Sequence, residues 1–535
     1  MKKREYKNKL YGFLNKDVKD INKVMLSFGL AFCVFLIGFL SYVIGTSYAY
    51  YVNKVEGKVL IEMTYSLPNV DTSSANNPKL SSNMIPVYYD SSSKSWKKAD
   101  ASNGDTNYKW YDYDNKMWAN AVTVTSSNRS KYLEADVGTE ISMSDINSMW
   151  VWIPRYTYTY FNLSSPKEIS IKFEEGTSSS GTIKCTEASD GESSTSEVCE
   201  DKTNNGLVAD TSTYTHPAFW WDKNDDGVRD ENEELTGIWV GKFDASSDKE
   251  CTPTSSASIG TGCDLETIRP KIIPNVNSWR GAQVSIFFNG MYKMRESGNQ
   301  YGFKVSDETH MMKNMEWGAV TYLAYSKYGR CTSGKCTEIT INNCNKHVTG
   351  IGADSVSATA SSTTCTTAAN KYDGAKGVLA STTGNIYGVY DMSGGSWDYV
   401  MGDIVYSDGT MMSGRTMENN YNSNFTGHLY ADGAYTGAYD FPNRKYYDKY
   451  SYGTSDTGAT RSKLGDAIKE MGLSGSSTSS WYSDGIRFSS GSDSWFVRSG
   501  YYEHAEGAGA FYLSSASGDS NESYSARVSL ALPNK

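Results

Sequence analysis

Apolar and polar positions divide the chain into blocks of different period. Val24 to Ile44 is apolar without a charge, about the 20 residues that a bilayer-spanning helix needs. Further on, short aromatic runs alternate with clusters of Ser, Asn, Asp and Gly, the pattern of strands joined by turns. Pro86 to Asp90 leads through such a turn to Trp96–Ala99, and Trp110 to Asp114 leads likewise to Trp118–Ala121. Both read as small aromatic β-hairpin units over residues 83–148. Their rings either pack one hairpin on the next or form a sugar-binding platform. Met149 to Pro154 opens the next block, with Pro154 as a strand end, and Arg155 to Phe161 alternates Tyr with Thr at period two. Two stretches switch to the helical period. Ala282, Val284, Phe287, Phe288, Met291 and Met294 form one stripe behind a Ser278 N-cap. Met315, Trp317, Val320, Leu323 and Ala324 form the other, capped by Asn314. Residues 461–471 suit a short third helix ending at Gly472.

Charge gives the apolar block a direction. Residues 1–23 carry eight Lys/Arg against three carboxylates, so this head is expected to stay cytoplasmic. The span is taken as 24–47, with Tyr42, Tyr48, Tyr50 and Tyr51 as an interfacial belt. A cleaved signal peptide ending at Ser47-Tyr48-Ala49 is the competing reading; the long basic head and the length of the run favour a retained anchor. The expected localisation is the cell membrane, single-pass, with a polar stalk over 48–82 and the bulk outside. The head is +5, so the whole chain's net charge of −10 leaves −15 (−10 − 5) on the exported part, which argues against nucleic acid as a partner. Forty tyrosines suit either a binding surface or a Tyr-rich sheet face.

Cysteine usage agrees with export. Cys33 falls in the span and eight others follow it, an even count that reads as disulfides. They bracket short Ser/Thr/Gly-rich loops, which predicts Cys185–Cys199, Cys251–Cys263, Cys331–Cys336 and Cys344–Cys365. Zinc is the rival for the last four, although only one pair comes near the usual ligand spacing.

The sharpest local motif runs from Asp222 to Glu233. Asp222, Asn224, Asp226, the Val228 carbonyl, Asp230 and Glu233 stand at the spacing of a calcium loop, with Gly227 at its sharp turn. Hard oxygens converging on one point suit Ca2+; an acidic, solvated turn is the alternative. No helix pattern flanks the loop, so a stand-alone structural site of about 10⁻⁴ to 10⁻³ M affinity is expected.

Gly384 to Gly402 carries a longer signal. A Tyr/Val run, Tyr387 to Tyr390, meets a Ser-Gly-Gly turn at Ser393–Gly395, and Trp397 and Tyr399 follow. This resembles the G-L-Y-D-M-x-G-N-V-W-E-W signature of the formylglycine-generating-enzyme/sulfatase-modifying family. Trp397 and Asp398 fall on its W-E pair, and Gly395 replaces its Asn. Met149–Pro154 is similar to that family's entry strand, and His216–Phe219 with Thr236–Phe243 to its paired strands. Glu316 and Trp317 match a helix, and Trp495–Tyr502 with Ser525–Ser529 resembles its closing segment. The resemblance implies an α+β, β-rich, C-type-lectin-like fold with two main helices over 149–535. Residues 174–213, the calcium loop 222–233 and the disulfide loops 331–365 would be insertions in it.

The same resemblance implies copper oxidase chemistry through a pair of cysteines near the closing segment. Here that segment has none after Cys365, and soft copper sites need thiolates. The expectation is therefore a non-catalytic, adhesin-like surface protein that binds a cell-surface protein or glycan. A formylglycine-generating-type oxidase and a structural envelope protein without a discrete ligand are the alternatives. The binding face is placed on the closing segment, with help from the Gly394–Tyr399 turn. Its candidates are Tyr501, Tyr502, His504, Tyr512, Asp519, Asn521 and Tyr524. Trp495, Val497 and Phe511 are expected to face the core. By analogy, this is the position of the variable segment in ligand-binding proteins diversified by retroelements, which use the same fold.

Overall fold

The computed structural model describes residues 48–55, 58–65, 70–161, 165–181, 213–224, 229, 231–255, 258–265, 267–405, 444–451, 462–471, 478–487 and 493–534. The expected head and span, 1–47, lie outside them. Among the described residues no helix is long and apolar enough to cross a membrane. The chain divides into two units, Met1–Asn69 and Val70–Lys535.

In the first unit, Tyr48–Val55 (β1) and Lys58–Tyr65 (β2) pair as an antiparallel hairpin. This corrects the first half of the expected stalk, where Tyr, Val, Ile and Thr favour extended pairing. Residues 70–82 also depart from a stalk, because they are bonded into the second unit. Asn76 Nδ2 donates to the carbonyls of Gly176 and Thr236, each at 2.9 Å, and Lys79 Nζ to that of Leu532 at 2.6 Å.

The second unit is a mixed α/β body in which sheet dominates. Its largest sheet has seven strands, all pairing antiparallel. They are Ile85–Asp90 (β3), Ser95–Lys98 (β4), Asn120–Val124 (β5), Ile146–Pro154 (β6), Gly237–Gly241 (β10), Glu308–Met311 (β11) and Val528–Ala531 (β19). Their order across the sheet is β11-β19-β10-β6-β5-β3-β4. The hairpin region 83–148 is thus part of the main sheet. Its second unit has no first strand: Asp112 Oδ1 accepts from Asn115 N at 3.2 Å and winds Tyr113–Asn115 into a 3-10 turn. Trp96, Trp110, Tyr111, Tyr113 and Trp118 are all buried. These rings are core, which removes the sugar-platform reading and fits the large area an aromatic ring buries.

Tyr156–Thr159 (β7) pairs with Ile171–Phe173 (β8) and Thr213–Thr215 (β9) in a three-stranded sheet. A third sheet is built on Trp397–Val405 (β14). Trp495–Ser499 (β16) runs antiparallel to it, Gly509–Ala516 (β17) lies beyond, and Asp448–Ser451 (β15) and Tyr524–Ala526 (β18) pair parallel to it. Cys331–Thr332 (β12) and Lys335–Cys336 (β13) close a small ribbon.

Three α-helices are described: Arg129–Glu134 (α1), Val284–Tyr292 (α2) and Asn314–Ala324 (α3). Both expected stripes are buried in α2 and α3, but the caps shift. Gln283 precedes α2, whereas Ser278 bonds instead to His347 and Ser396. Lys313 precedes α3, and the Glu316 carboxylate accepts its N–H at 2.9 Å. That bond satisfies an N-terminal donor which the helix itself leaves open. The expected helix over 461–471 is a 3-10 turn at Lys469–Met471 preceded by turns. There the Asp466 carboxylate accepts the N–H groups of Lys463, Ile468 and Lys469, and such local bonding competes with helix.

Disulfides join Cys251 to Cys263, Cys331 to Cys336 and Cys344 to Cys365. No thiolate of the last four is left for zinc. Cys185 and Cys199 lie outside the described residues.

Candidate functional site

The two segments expected to share a binding face meet in the third sheet. β14 leaves a turn in which Gly394 and Gly395 both have φ 75°. A side chain at Gly394 would meet the Asn342 carbonyl at 2.5 Å, so the turn requires glycine there. At Gly395, where the similar motif has Asn, the same left-handed backbone suits either residue. On the neighbouring strand, Ser499 (φ 69°) and Gly500 (φ 71°) end β16 and swing residues 501–507 back over β14. The N–H of Tyr502 then donates to the Gly395 carbonyl at 3.3 Å, and Trp397 N to that of Ser523 at 2.9 Å.

This closure assembles a half-buried aromatic group around Trp397. Tyr501 stacks on the indole, with centroids 4.2 Å apart and 27° between planes. His504 stands edge-on to it at 5.2 Å and Tyr524 is tilted at 5.2 Å. Tyr502 meets Tyr501 at 5.1 Å and the His347 ring at 4.8 Å, perpendicular. Burial lowers the pKa of His504, so its ring is neutral at pH 7. Tyr524 is pushed up to about 12, first by burial, and keeps its phenolic proton. The group therefore offers uncharged rings with hydrogen-bonding tips.

Three of the seven expected residues have other work. Tyr512 is buried, and its hydroxyl accepts the Trp397 Nε1 proton at 3.1 Å. It holds the indole from behind, because β17 turns it inward. Asp519 accepts from Ser517 Oγ at 2.9 Å and its carbonyl from Tyr399 Oη at 3.0 Å. Asn521 Oδ1 accepts from Ser523 N at 2.9 Å. These two build the turn before β18. Trp495, Val497 and Phe511 are core, as expected. His347 joins the face from outside either segment, and no local sequence signal marks it.

Behind the face lies a buried charge cluster. Arg527 donates to Asp244 Oδ1 at 2.6 Å, to Asp398 Oδ2 at 3.3 Å and to the carbonyls of Gly241 and Tyr390, each at 2.9 Å. Asp398 is the acid after Trp397, so the Gly394–Tyr399 turn and the closing segment are also joined through this ion pair. Among the described residues the second Asp398 oxygen, Oδ1, is buried without a hydrogen-bond partner. Burial, and then the neighbouring carboxylates, raise Asp244; burial raises Asp398 to about 6 against the pull of Arg527. Asp244, Asp398 and Arg527 are all buried.

Of the six expected calcium ligands, Asp222, Asn224 and Glu233 are described; Asp226, Val228 and Asp230 lie outside. Glu233 Oε1 accepts the N–H groups of Lys223 at 2.8 Å and Asn224 at 3.2 Å. Trp220 pairs with Glu234 across the loop's neck. Trp220 Nε1 donates to Glu233 Oε2 at 3.0 Å, so both oxygens of this carboxylate accept N–H groups. A 3-10 turn, Pro217–Phe219, precedes the loop and β10 follows it, so no EF-hand helices flank it. Among the described residues, no three His, Cys, Asp or Glu side chains group as a metal site.

Neither a protein-family model nor a curated protein matches the chain.

Proposed function

We propose that the chain is a surface binding protein, non-catalytic, that presents an aromatic face for a cell-surface protein or glycan. The observation that carries this is the convergence of the Gly394–Tyr399 turn with residues 501–524. It leaves Trp397, Tyr501, Tyr502, His504 and Tyr524 half-exposed on one rigid sheet end. Tyrosine supplies large amphipathic contact with few rotamers to freeze, the property that adaptable recognition surfaces use. The scaffold is read as C-type-lectin-like. The segments that resemble the formylglycine-generating family, β6, β10, α3, β14 and β19, all contribute to this one unit. The membrane anchor is part of the same proposal and rests on residues 24–47.

The test is a glycan and cell-surface-protein array with the full chain, followed by Tyr501→Ala and Tyr502→Ala. Loss of binding by at least about tenfold with an unchanged melt is expected, since each ring is a candidate hot spot. Binding that survives both changes eliminates this face.

Calcium at the Asp222–Glu233 loop belongs to the same reading, as a structural ion. Asp222, Asn224, Asp226, Asp230 and Glu233 would hold it with side-chain oxygens, and Val228 with its carbonyl. At about a hundred times its Kd, calcium would add about 2.7 kcal/mol to stability by mass action. Chelator should lower the melting temperature, and Glu233→Gln should erase that difference. A melt indifferent to calcium refutes the assignment.

A further inference from the structure

Beside the aromatic face lies a cavity of about 400 Å³ that nothing above uses. Its walls include Lys249, Lys271 and Arg280 together with Ser246, Ser247 and Ser278, whose hydroxyls also bond the Lys271 carbonyl, the Lys249 N–H and Ser396 Oγ in turn. Among the described residues no carboxylate lines it. In a chain of net charge −10, three cations around one opening are a local inversion of sign.

These cations are poorly neutralised. Among the described residues the Lys271 ammonium makes no ion pair and no hydrogen bond. Among the described residues the Lys249 ammonium pairs with Asp248, its neighbour in sequence, at 3.3 Å, and Asp248 also accepts the N–H of Arg269. Arg280 donates through Nη1 to the Glu522 carbonyl, and its Nε is buried without an acceptor. The Arg280 guanidinium, with its Nε unused, and the unpaired Lys271 ammonium belong to residues that line one opening, and cations of this kind recognise oxyanions.

The cavity is joined to the aromatic face through its own wall. Gly281 N donates to the Asn521 carbonyl at 3.0 Å. Ser278 Oγ meets Ser396 Oγ at 2.9 Å, Ser396 Oγ meets His347 Nδ1 at 2.9 Å, and His347 carries Tyr502 on its ring. The Cys251–Cys263 disulfide braces the same wall, since Cys251 lines the cavity and its Sγ lies 3.2 Å from the Arg280 carbonyl.

We propose that this cavity receives an acidic sugar. Its carboxylate or sulfate would lie against Lys271 and Arg280, and its ring hydroxyls against the serines. A volume of this size holds one small ring, and a peptide carboxylate would leave the hydroxyl-rich wall unmatched. The inference rests on the reading of the neighbouring aromatic face as a ligand surface, and supplies the charged end of that ligand.

The full chain is titrated with glucuronic acid, N-acetylneuraminic acid and galactose 6-sulfate, and with neutral glucose and galactose. At least one acidic sugar should bind about tenfold more tightly than the neutral pair, a difference of about 1.4 kcal/mol. Added salt should weaken that binding. Whether the carboxylates or the sulfate ester bind identifies the source of the anion. Lys271→Gln and Arg280→Gln should each lower affinity by about tenfold with an unchanged melt, and Lys271→Arg should restore it. Equal binding of acidic and neutral sugars overturns the proposal. So does binding untouched by both glutamine variants, or inorganic sulfate bound as tightly as the sulfated sugar. The two readings fail separately. If Tyr501→Ala abolishes binding of the array target while Lys271→Gln leaves it intact, the face stands and the cavity falls. If only the cavity variants matter, the face falls.

Discussion

Replacing Arg527 by methionine is expected to cost about 3–5 kcal/mol of folding stability. Arg527 is fully buried between Asp244 and Asp398. Methionine fills much of its volume but leaves those carboxylates in the core without a counter-charge. They must then take up protons or draw water in. Asp391 adds to the strain on the site, because burial raises its pKa too, although Asn342 Nδ2 and Gly350 N each bond it at 2.9 Å. A typical domain is stable by about 5–15 kcal/mol, so the loss approaches unfolding. Denaturant titration measures it. The cost should shrink at low pH, where the carboxylates protonate, and adding Asp244→Asn and Asp398→Asn should recover part of it. A loss below about 1 kcal/mol would show that the cluster is dispensable, which a buried ion pair should not be.

Glu470→Gln should flatten part of the pH dependence of stability. Glu470 is fully buried, and its Oε1 accepts from Tyr158 Oη at 2.6 Å and from Gly465 N at 2.8 Å. Tyr322 bonds its other oxygen. Burial first, and then the nearby Asp466, raise its pKa to about 7. Between the ordinary glutamate range and pH 7, the folded chain therefore keeps a proton that the unfolded chain has released. The stabilisation is complete below the unfolded pKa and is lost as pH rises through 7. A shift of this size corresponds to about 3 kcal/mol. His216 has the opposite sign. Burial lowers it to about 3, so its contribution is present above the usual histidine range and fades as pH falls. It is common to both proteins and cancels in their difference. Relative to wild type, Glu470→Gln should gain stability steadily from pH 4 to 8. A difference that does not vary with pH would mean that Glu470 is ionised in the fold.

What could be read from the sequence was what is local. The stripes of α2 and α3 each span about three turns of adjacent chain, and both are buried as the period implied. The described disulfides close short brackets, so their pairing needed no knowledge of the fold. The Gly394–Tyr399 turn and the closing segment each carried enough aromatic and glycine signal to be named as partners. Long-range choices were not legible. Ser278 has good cap chemistry, but its hydroxyl is taken by Ser396, far along the chain. For Trp96, Trp110 and Trp118 the sequence left packing and a platform both open, because burial depends on strands that arrive much later. Tyr512, Asp519 and Asn521 share the composition of a binding surface, yet turn geometry uses them from within. Lys271 and Arg280 escaped notice for the reverse reason: single cations in loops carry no pattern until the fold gathers them.

The order of strands in the main sheet bears on how the protein is made. β19 lies between β10 and the edge strand β11, so the place next to one edge of the sheet is filled by a segment synthesised long after both neighbours. Until Val528–Ala531 arrives, β10 presents a row of unpaired amides and carbonyls. Contacts of such high sequence separation slow folding, and open apolar edges invite pairing between chains. A nascent or prematurely terminated chain would therefore be a chaperone client with one defined sticky edge, and a peptide copying β19 would be the natural competitor for it.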